Sequence, residues 1–184
     1  RSAASSASRR GLMNAFAHPA SALSTGKLDV PGVERALTAS AAVHEAISRL
    51  VREPRDLEGR RAAIEGTVQA GWVLRTSPLG EHPRLAHALG GRFDLDHAGL
   101  HSVLLPHSIA RLRANAPEAF QALVRRLAEP ALPQALRRVL TASNAPTSLA
   151  ELGVPRAAFD ELLAQRPELP RELLEAAYLG AGPG

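Results

Sequence analysis

The sequence predicts an all-α protein, a multi-helix bundle carried by a single domain over residues 1–184. Apolar residues recur at three- and four-residue spacing through most of the chain, the period that gathers them on one face of a helix. The alternation of β-branched or aromatic residues with polar ones that marks a half-buried strand is almost absent. Prolines stand repeatedly where a helical pattern begins, a position where the missing N–H costs nothing because first-turn donors have no partner within the helix.

Each element can be justified in turn. Residues 31–51 read as a helix with proline in its first turn and Val33, Leu37, Ala41, Ile47 and Leu50 on or near one stripe, ended by Arg52-Glu53-Pro54. Asp56 caps a second helix over 56–75, whose apolar positions are Leu57, Ala62, Ile64, Val68 and Trp72. A third, short helix begins near Pro83 and is expected to stop at Gly90-Gly91, since glycine accepts the left-handed conformation that closes a helix. A fourth runs over 97–115 with Pro106 inside it, where a break or kink is expected because the ring removes a backbone hydrogen bond. Helices over 117–127, 133–140, 155–164 and 170–179 follow, before a glycine-rich tail over 180–184. The first 28 residues hold no acid and are rich in Ser, Ala and Arg, the style of a transit peptide, a reading that competes with truncation of a longer chain. Whether Arg1 is a processed end stays open.

Composition excludes several function classes. Hydrophobic residues make up 45% and charged residues 22%, ordinary values for a globular protein, and no apolar run approaches the ~18 residues that span a bilayer. No membrane insertion is expected, and the cytoplasm is the expected compartment. The chain has no cysteine, so any metal site must be built from His, carboxylate or amide. The net charge of +4 is modest; Lys27 is the only lysine, and arginine raises the sequence pI to about 10.8. Arg and Glu alternate along the helices and aromatics are 3%, so no nucleic-acid partner is expected.

Chemistry concentrates in the histidines. His82, His87, His97, His101 and His107 lie close together in sequence, and His18 sits in an apolar segment near the start. His97 and His101 are four apart and share a helix face, the spacing two metal ligands on one helix would need, and also a spacing that capping or partly buried histidines adopt. The sequence contains no G-x-G-x-x-G, no phosphate-binding G-x-x-x-x-G-K-[ST] and no G-x-S-x-G, so this chain alone offers neither a nucleotide loop nor a hydrolase elbow.

The stretch Ala86-His87-Ala88-Leu89-Gly90-Gly91-Arg92-Phe93-Asp94-Leu95-Asp96-His97-Ala98, continued by Leu104-Leu105-Pro106-His107, resembles the second signature region of iron-containing alcohol dehydrogenases. Gly11-Leu12-Met13-Asn14-Ala15-Phe16-Ala17-His18 is similar to that family's earlier ligand segment, in particular its maleylacetate reductase branch. Pro146-Thr147-Ser148-Leu149-Ala150-Glu151-Leu152-Gly153-Val154-Pro155 resembles the family's late Pro-Thr-x-Leu-x-x-Leu-Gly turn, and Leu173-Leu174-Glu175-Ala176-Ala177-Tyr178-Leu179-Gly180 the reductase C-terminus. The resemblance covers nearly the whole chain and implies the helical C-terminal domain of that family, of the dehydroquinate synthase-like type.

In that family a separate N-terminal α/β domain binds NAD(P)H, while the helical domain supplies an Asp and a His four apart and two further His as metal ligands. The resemblance places the first ligand on Asn14, the second on His18, the third on Pro83 and the fourth on His97, and matches His87 to the additional histidine near the nicotinamide. Asn14 offers a neutral amide oxygen and Pro83 no donor, so tight Fe2+ or Zn2+ binding is not expected. His82 neighbours the missing third ligand, but one residue turns a side chain about 100° around a helix. Pro19 disfavours α conformation at His18 and crowds the carbonyl of Ala15, which makes the Asn14–His18 pairing an open question. What the resemblance implies is the substrate and metal side of an NAD(P)H-dependent oxidoreductase with a degenerate metal site. His87 and His97 would be catalytic, Arg84 and Arg92 would bind substrate, and His18, His97, Asn14 and His82 form the reduced metal set. Its partner would be a nucleotide-binding domain or subunit on another chain, with a homo-oligomer as a further option. The other reading is a non-catalytic binding or assembly module, or a domain adapted to another biosynthetic reaction.

Overall fold

A computed structural model describes residues 3–143 and 145–183, with side chains from Arg10 onward; Arg1, and with it the question of a processed end, lies outside the described residues, as does Gly184 of the tail. Among the described residues the chain forms α1 (Ala3–Leu23), α2 (Val30–Arg52), α3 (Leu57–Thr76), α4 (Glu81–Phe93), α5 (His97–Asn115), α6 (Pro117–Leu127), α7 (Leu132–Ala142), α8 (Arg156–Gln165) and α9 (Arg171–Leu179), and no strand. The expected helices are present.

Most of the acid-free start is helical, forming α1. Leu12, Met13, Ala15, Phe16, Ala17, Ala20, Ala22 and Leu23 of α1 are buried, and the helix packs against α2, α3, α4 and α5. From Arg10 on, buried apolar residues cover most of α1 and leave only a narrow polar strip of Arg10, Asn14 and His18, so its amphipathic pattern is weak. The expectation that Pro19 would turn His18 out of helical conformation is also overturned: α1 continues through Pro19. Proline inside a helix costs roughly 3 kcal/mol, and the burial of α1 against four neighbours outweighs that loss.

Short-range chemistry fixes several ends. The Asp29 carboxylate accepts a 2.8 Å bond from the Gly32 N–H and starts α2. Asp56 accepts from Glu58 N–H at 3.0 Å at the head of α3 and receives the Arg49 guanidinium of α2 at 2.7 Å, so one carboxylate caps a helix and ties two together. α2 and α3 form the most extensive helix pair, and Gly66 permits their approach: a Cβ there would lie 2.8 Å from the backbone nitrogen of Val43. The expected stop at Gly90-Gly91 is a correction. Both glycines lie inside α4, which ends at Asp94 in left-handed conformation (φ 50°), its N–H bonded to the Gly90 carbonyl. A short polar side chain tolerates that conformation. α5 is not broken at Pro106; it is helical from His97 to Asn115 with one of its faces after another buried by surrounding helices.

Two apolar cores result. The larger joins α1, α2 and α3 to the C-terminal half of α5, α6 and α7, with Phe16, Ile47, Leu123 and Leu136 at its centre. The smaller joins α4, the N-terminal half of α5, α8 and α9 around Leu89, Leu104 and Phe159. Phe159 stacks on Tyr178 at 4.6 Å between ring centres, and the Tyr178 hydroxyl donates to the Val154 carbonyl at 3.2 Å. These contacts fasten the late turn to α9. The functional candidates lie where α1, α4 and α5 meet.

Candidate active site

Five of the six histidines that the sequence singled out converge, His107 being the exception. α5 carries His97 and His101, α4 carries His82 and His87, and α1 brings Asn14 and His18 one turn apart. His101 is the hub: its ring centre lies 4.4 Å from that of His97, 4.9 Å from His82 and 5.6 Å from His18. His87 lies nearly parallel to His97, with ring centres 6.4 Å apart. The arrangement is a row. His87 and His97 are exposed, His18 is half-buried, and His101 and His82 are interior. At the inner end His82 Nε2 bonds His101 Nδ1 at 2.9 Å, and His82 Nδ1 bonds the Ser108 hydroxyl at 2.8 Å.

Burial sets the protonation of the inner rings. It pushes His101 down to about 2 and His82 down to about 3, because an imidazolium would be stranded away from water. Burial also lowers His18, with a smaller repulsion from His97 and His87 if those are charged. The inner rings are therefore neutral at ordinary pH, and the His82–His101 bond joins a donor nitrogen to an acceptor nitrogen. Asn14 Oδ1, His18 Nδ1 and His101 Nε2 are buried and lack a protein partner. A cluster of such atoms marks a place that a ligand, ion or water completes.

The ligand positions implied by resemblance can be tested on this geometry. Asn14 and His18 do share the helical spacing expected of a ligand pair. Pro83 is buried in the first turn of α4 and has no side-chain donor. His82 cannot step into its place without losing a bond, since both of its ring nitrogens are engaged, one with His101 and one with Ser108. Among the described residues, no group of three His, Asp or Glu side chains is disposed to hold a metal ion. The donor set lacks any carboxylate.

The two arginines separate. Arg92 reaches Glu161 of α8 at 3.3 Å on the exposed side of α4, whereas Arg84 lines a cavity at the other end of that helix. His107 is buried on α5 with Arg137 as its nearby charge, apart from the row. Sequence reasoning missed Ser108. Its signal was available in the spacing, since Ser108 follows His101 by two helical turns on the same helix and so shares its face. It also missed Arg10, whose guanidinium bonds Asp96, the residue that caps α5, at 2.7 Å.

Comparison with known proteins agrees with this picture. Residues 10–167 match the pattern of the Fe-containing alcohol dehydrogenase family, C-terminal. Maleylacetate reductase of Burkholderia cepacia is 36% identical over 154 residues, covering 77% of this chain and 44% of that protein. Maleylacetate reductase of Pseudomonas sp. strain P51 is 34% identical over 184 residues, covering 93% and 52%. The crystal structure of maleylacetate reductase from Rhizobium sp. strain MTP-10005 superposes with a TM-score of 0.84 at 31% identity, covering 95% of this chain and 53% of that one. The chain thus spans about half the length of the relatives it matches. With its helix order, its histidine row and these matches taken together, the chain belongs to the iron-containing alcohol dehydrogenase family, as the helical C-terminal domain of a maleylacetate reductase-like member.

Proposed function

We propose that this domain forms the substrate side of an NAD(P)H-dependent reductase that works without a tightly held metal, its partner being a nucleotide-binding domain or subunit. The observation that carries the reading is the imidazole row with its exposed end at His87 and His97 and its neutral, hydrogen-bonded interior. A reduced nicotinamide, when bound, supplies a hydride to an unsaturated or carbonyl carbon. His97 and His87 hold the proton that must reach the developing oxyanion or enolate, the proton leaving a ring nitrogen as negative charge grows on the substrate oxygen. Asn14, through its side-chain amide, and His18 line the same junction and hydrogen-bond the oxygen, in place of ion coordination. Fe2+ or Zn2+ does not fit the donor set: it contains no anion, its third position is proline, and the adjacent His82 is committed to internal bonds. Arg92 is the cation for a substrate carboxylate, since its pairing with Glu161 is exposed and easily exchanged.

The test joins the chain to the nucleotide-binding half of the Burkholderia cepacia relative and follows NADH absorbance with maleylacetate. Turnover that survives chelator and falls at least about a hundredfold in His87→Ala or His97→Ala supports the reading. Turnover that requires added metal, or is indifferent to both histidines, overturns it.

A binding or assembly module is the second reading, favoured by a separate observation. Ile64, Val68 and Trp72, four apart along α3, are 68%, 65% and 47% exposed, and Arg35 stacks on the Trp72 ring at 3.7 Å. Such an apolar face is a contact surface. Sedimentation of the chain with and without Val68→Glu distinguishes a self-associating module from a monomer.

A further inference from the structure

The inner end of the row opens on a cavity of about 300 Å³ between the C-terminal half of α1, the head of α4 and the C-terminal half of α5. His82 and Ser108, whose mutual bond closes the row, both line it. Ser108 follows His97 by eleven residues on α5, which is ~16 Å along a helix axis, so the cavity is distinct from the exposed end of the row.

Several observations there point to an anion. α4 begins at Gly80 with no side-chain cap, so the first N–H groups of a thirteen-residue helix are left for another acceptor. Gly80 is tightly held: a Cβ on it would lie 2.1 Å from Ser21 Oγ and 2.6 Å from the Ser21 carbonyl. The Ser21 hydroxyl is thereby packed against the head of α4. Ser21 lines the cavity and is 8% exposed, and its hydroxyl oxygen has no hydrogen-bond partner. An orphaned buried hydroxyl is destabilising, a cost that a ligand oxygen accepting its hydrogen bond removes. The charge balance has the matching sign. Glu81 is neutralised by Arg111 at 2.6 Å, while Lys27 and Arg84, which line the same cavity, form no ion pair among the described residues.

We propose that this cavity is a binding site for a small oxyanion, a carboxylate or phosphate group held by the head of α4, the Ser21 hydroxyl, Lys27 and Arg84. A ligand seated there touches His82 and Ser108 and so meets the imidazole row from its inner end. The volume admits a compact metabolite and excludes a dinucleotide.

Titration calorimetry of the chain at low ionic strength, with inorganic phosphate in one series and succinate in another, tests the site. The expected result is saturable one-to-one binding of at least one anion, weakened about tenfold by Ser21→Ala and by Lys27→Gln and unchanged by Arg61→Gln, which removes a cation away from the cavity. Helical circular dichroism and an unaltered melting curve verify that Lys27→Gln, a surface substitution, is folded. The stronger of the two series identifies the ligand class. Absence of binding in both series, or binding indifferent to Ser21 and Lys27, overturns the proposal.

Discussion

The two cores of this domain are packed by different means. The larger relies on small residues: Ala17, Ala36, Ala39 and Ala46 are wholly buried, and Gly66 lets α3 lie against the α2 backbone. The smaller relies on bulk, with Leu89, Leu100, Leu104 and the stacked Phe159–Tyr178 pair filling the space between shorter helices. Close backbones leave little room for polar side chains, and a core of bulky side chains leaves little reason for them. The buried imidazoles of the row, His82 and His101, fall with Ser102 at the seam, where α5 passes from one core to the other. Leu104 belongs to the smaller core and Leu105 to the larger, and His101 sits one turn before them. The seam is where a functional row can be buried without opening a hole in either core.

The largest test of that comparison asks whether α5 makes the two cores one folding unit. Phe16→Ala and Phe159→Ala each empty a wholly buried aromatic site, one per core, and each should cost about 3–5 kcal/mol. In urea, both variants should retain a single transition with unchanged slope and a lower midpoint. Separate transitions for the two cores, or a slope change confined to one variant, would show that α5 does not couple them.

A slightly smaller effect concerns acid. Burial pushes His107 down to about 4, with a further push from the Arg137 guanidinium, against 6.5 in an unfolded chain. Above pH 6.5 both states hold a neutral ring and the group contributes no pH dependence. Between 6.5 and about 4 the unfolded chain takes up a proton that the folded one refuses, so stability falls with decreasing pH by about 1.4 kcal/mol per unit, up to about 3 kcal/mol in all. Other buried imidazoles add to the wild-type slope, so the measurement is the difference between wild type and His107→Gln in urea midpoints at pH 7.5 and 4.5. The variant should lose less stability on acidification; parallel curves would contradict the assignment.

Gly66→Ala should cost about 1–3 kcal/mol by overpacking, since the added methyl meets Val43 backbone and cannot be accommodated by a side-chain rotation. Gly91→Ala is its control, because a Cβ there meets nothing within 4 Å, and on helix propensity it should stabilise by about 0.5–1 kcal/mol. Opposite signs in thermal melts would confirm that the two glycines, both inside helices, serve different ends. Equal effects would mean that the α2–α3 approach is not limited by backbone contact.

Legibility in the sequence followed the same division. Helices with one wet face were readable: α2 and α6 have an acceptor cap or a proline start and a buried apolar stripe. α3 was readable by its Asp56 cap alone, since its apolar Leu57, Ile64, Val68 and Trp72 are exposed and it packs through Gly59, Gly66, Ala70 and Val73. α1 was not, because apolar residues from Leu12 to Leu23 spread over most of its faces and Pro19 argued against it locally. Gly90-Gly91 misled for the converse reason, since glycine is permitted in left-handed turns and not obliged to form one, and Asp94 took that role. For the site, His18, His87 and His97 were legible through motif resemblance. The seam itself was not, because the His82–Ser108 bond joins residues on two helices that no local spacing connects, and the cavity beyond it is made by Gly80 and Ser21, residues with no chemical signature in sequence.

The smallest effect joins stability to the exposed end of the row. Asp96 precedes His97, accepts a 2.9 Å bond from the Gly99 N–H as the cap of α5, and pairs with Arg10 of α1 at 2.7 Å. Both interactions fix where α5 begins and therefore where His97 stands. The ion pair is half exposed and worth little by itself, whereas the cap is worth about 1 kcal/mol. Asp96→Asn keeps an acceptor for Gly99 and removes the charge, so it should cost only a few tenths of a kcal/mol in urea unfolding; Asp96→Ala removes both and should cost about 1 kcal/mol. If the two variants lose equal stability, the Arg10 pair and not the cap holds the start of α5. His97 would then owe its position to the larger core, through α1, and not to its own helix.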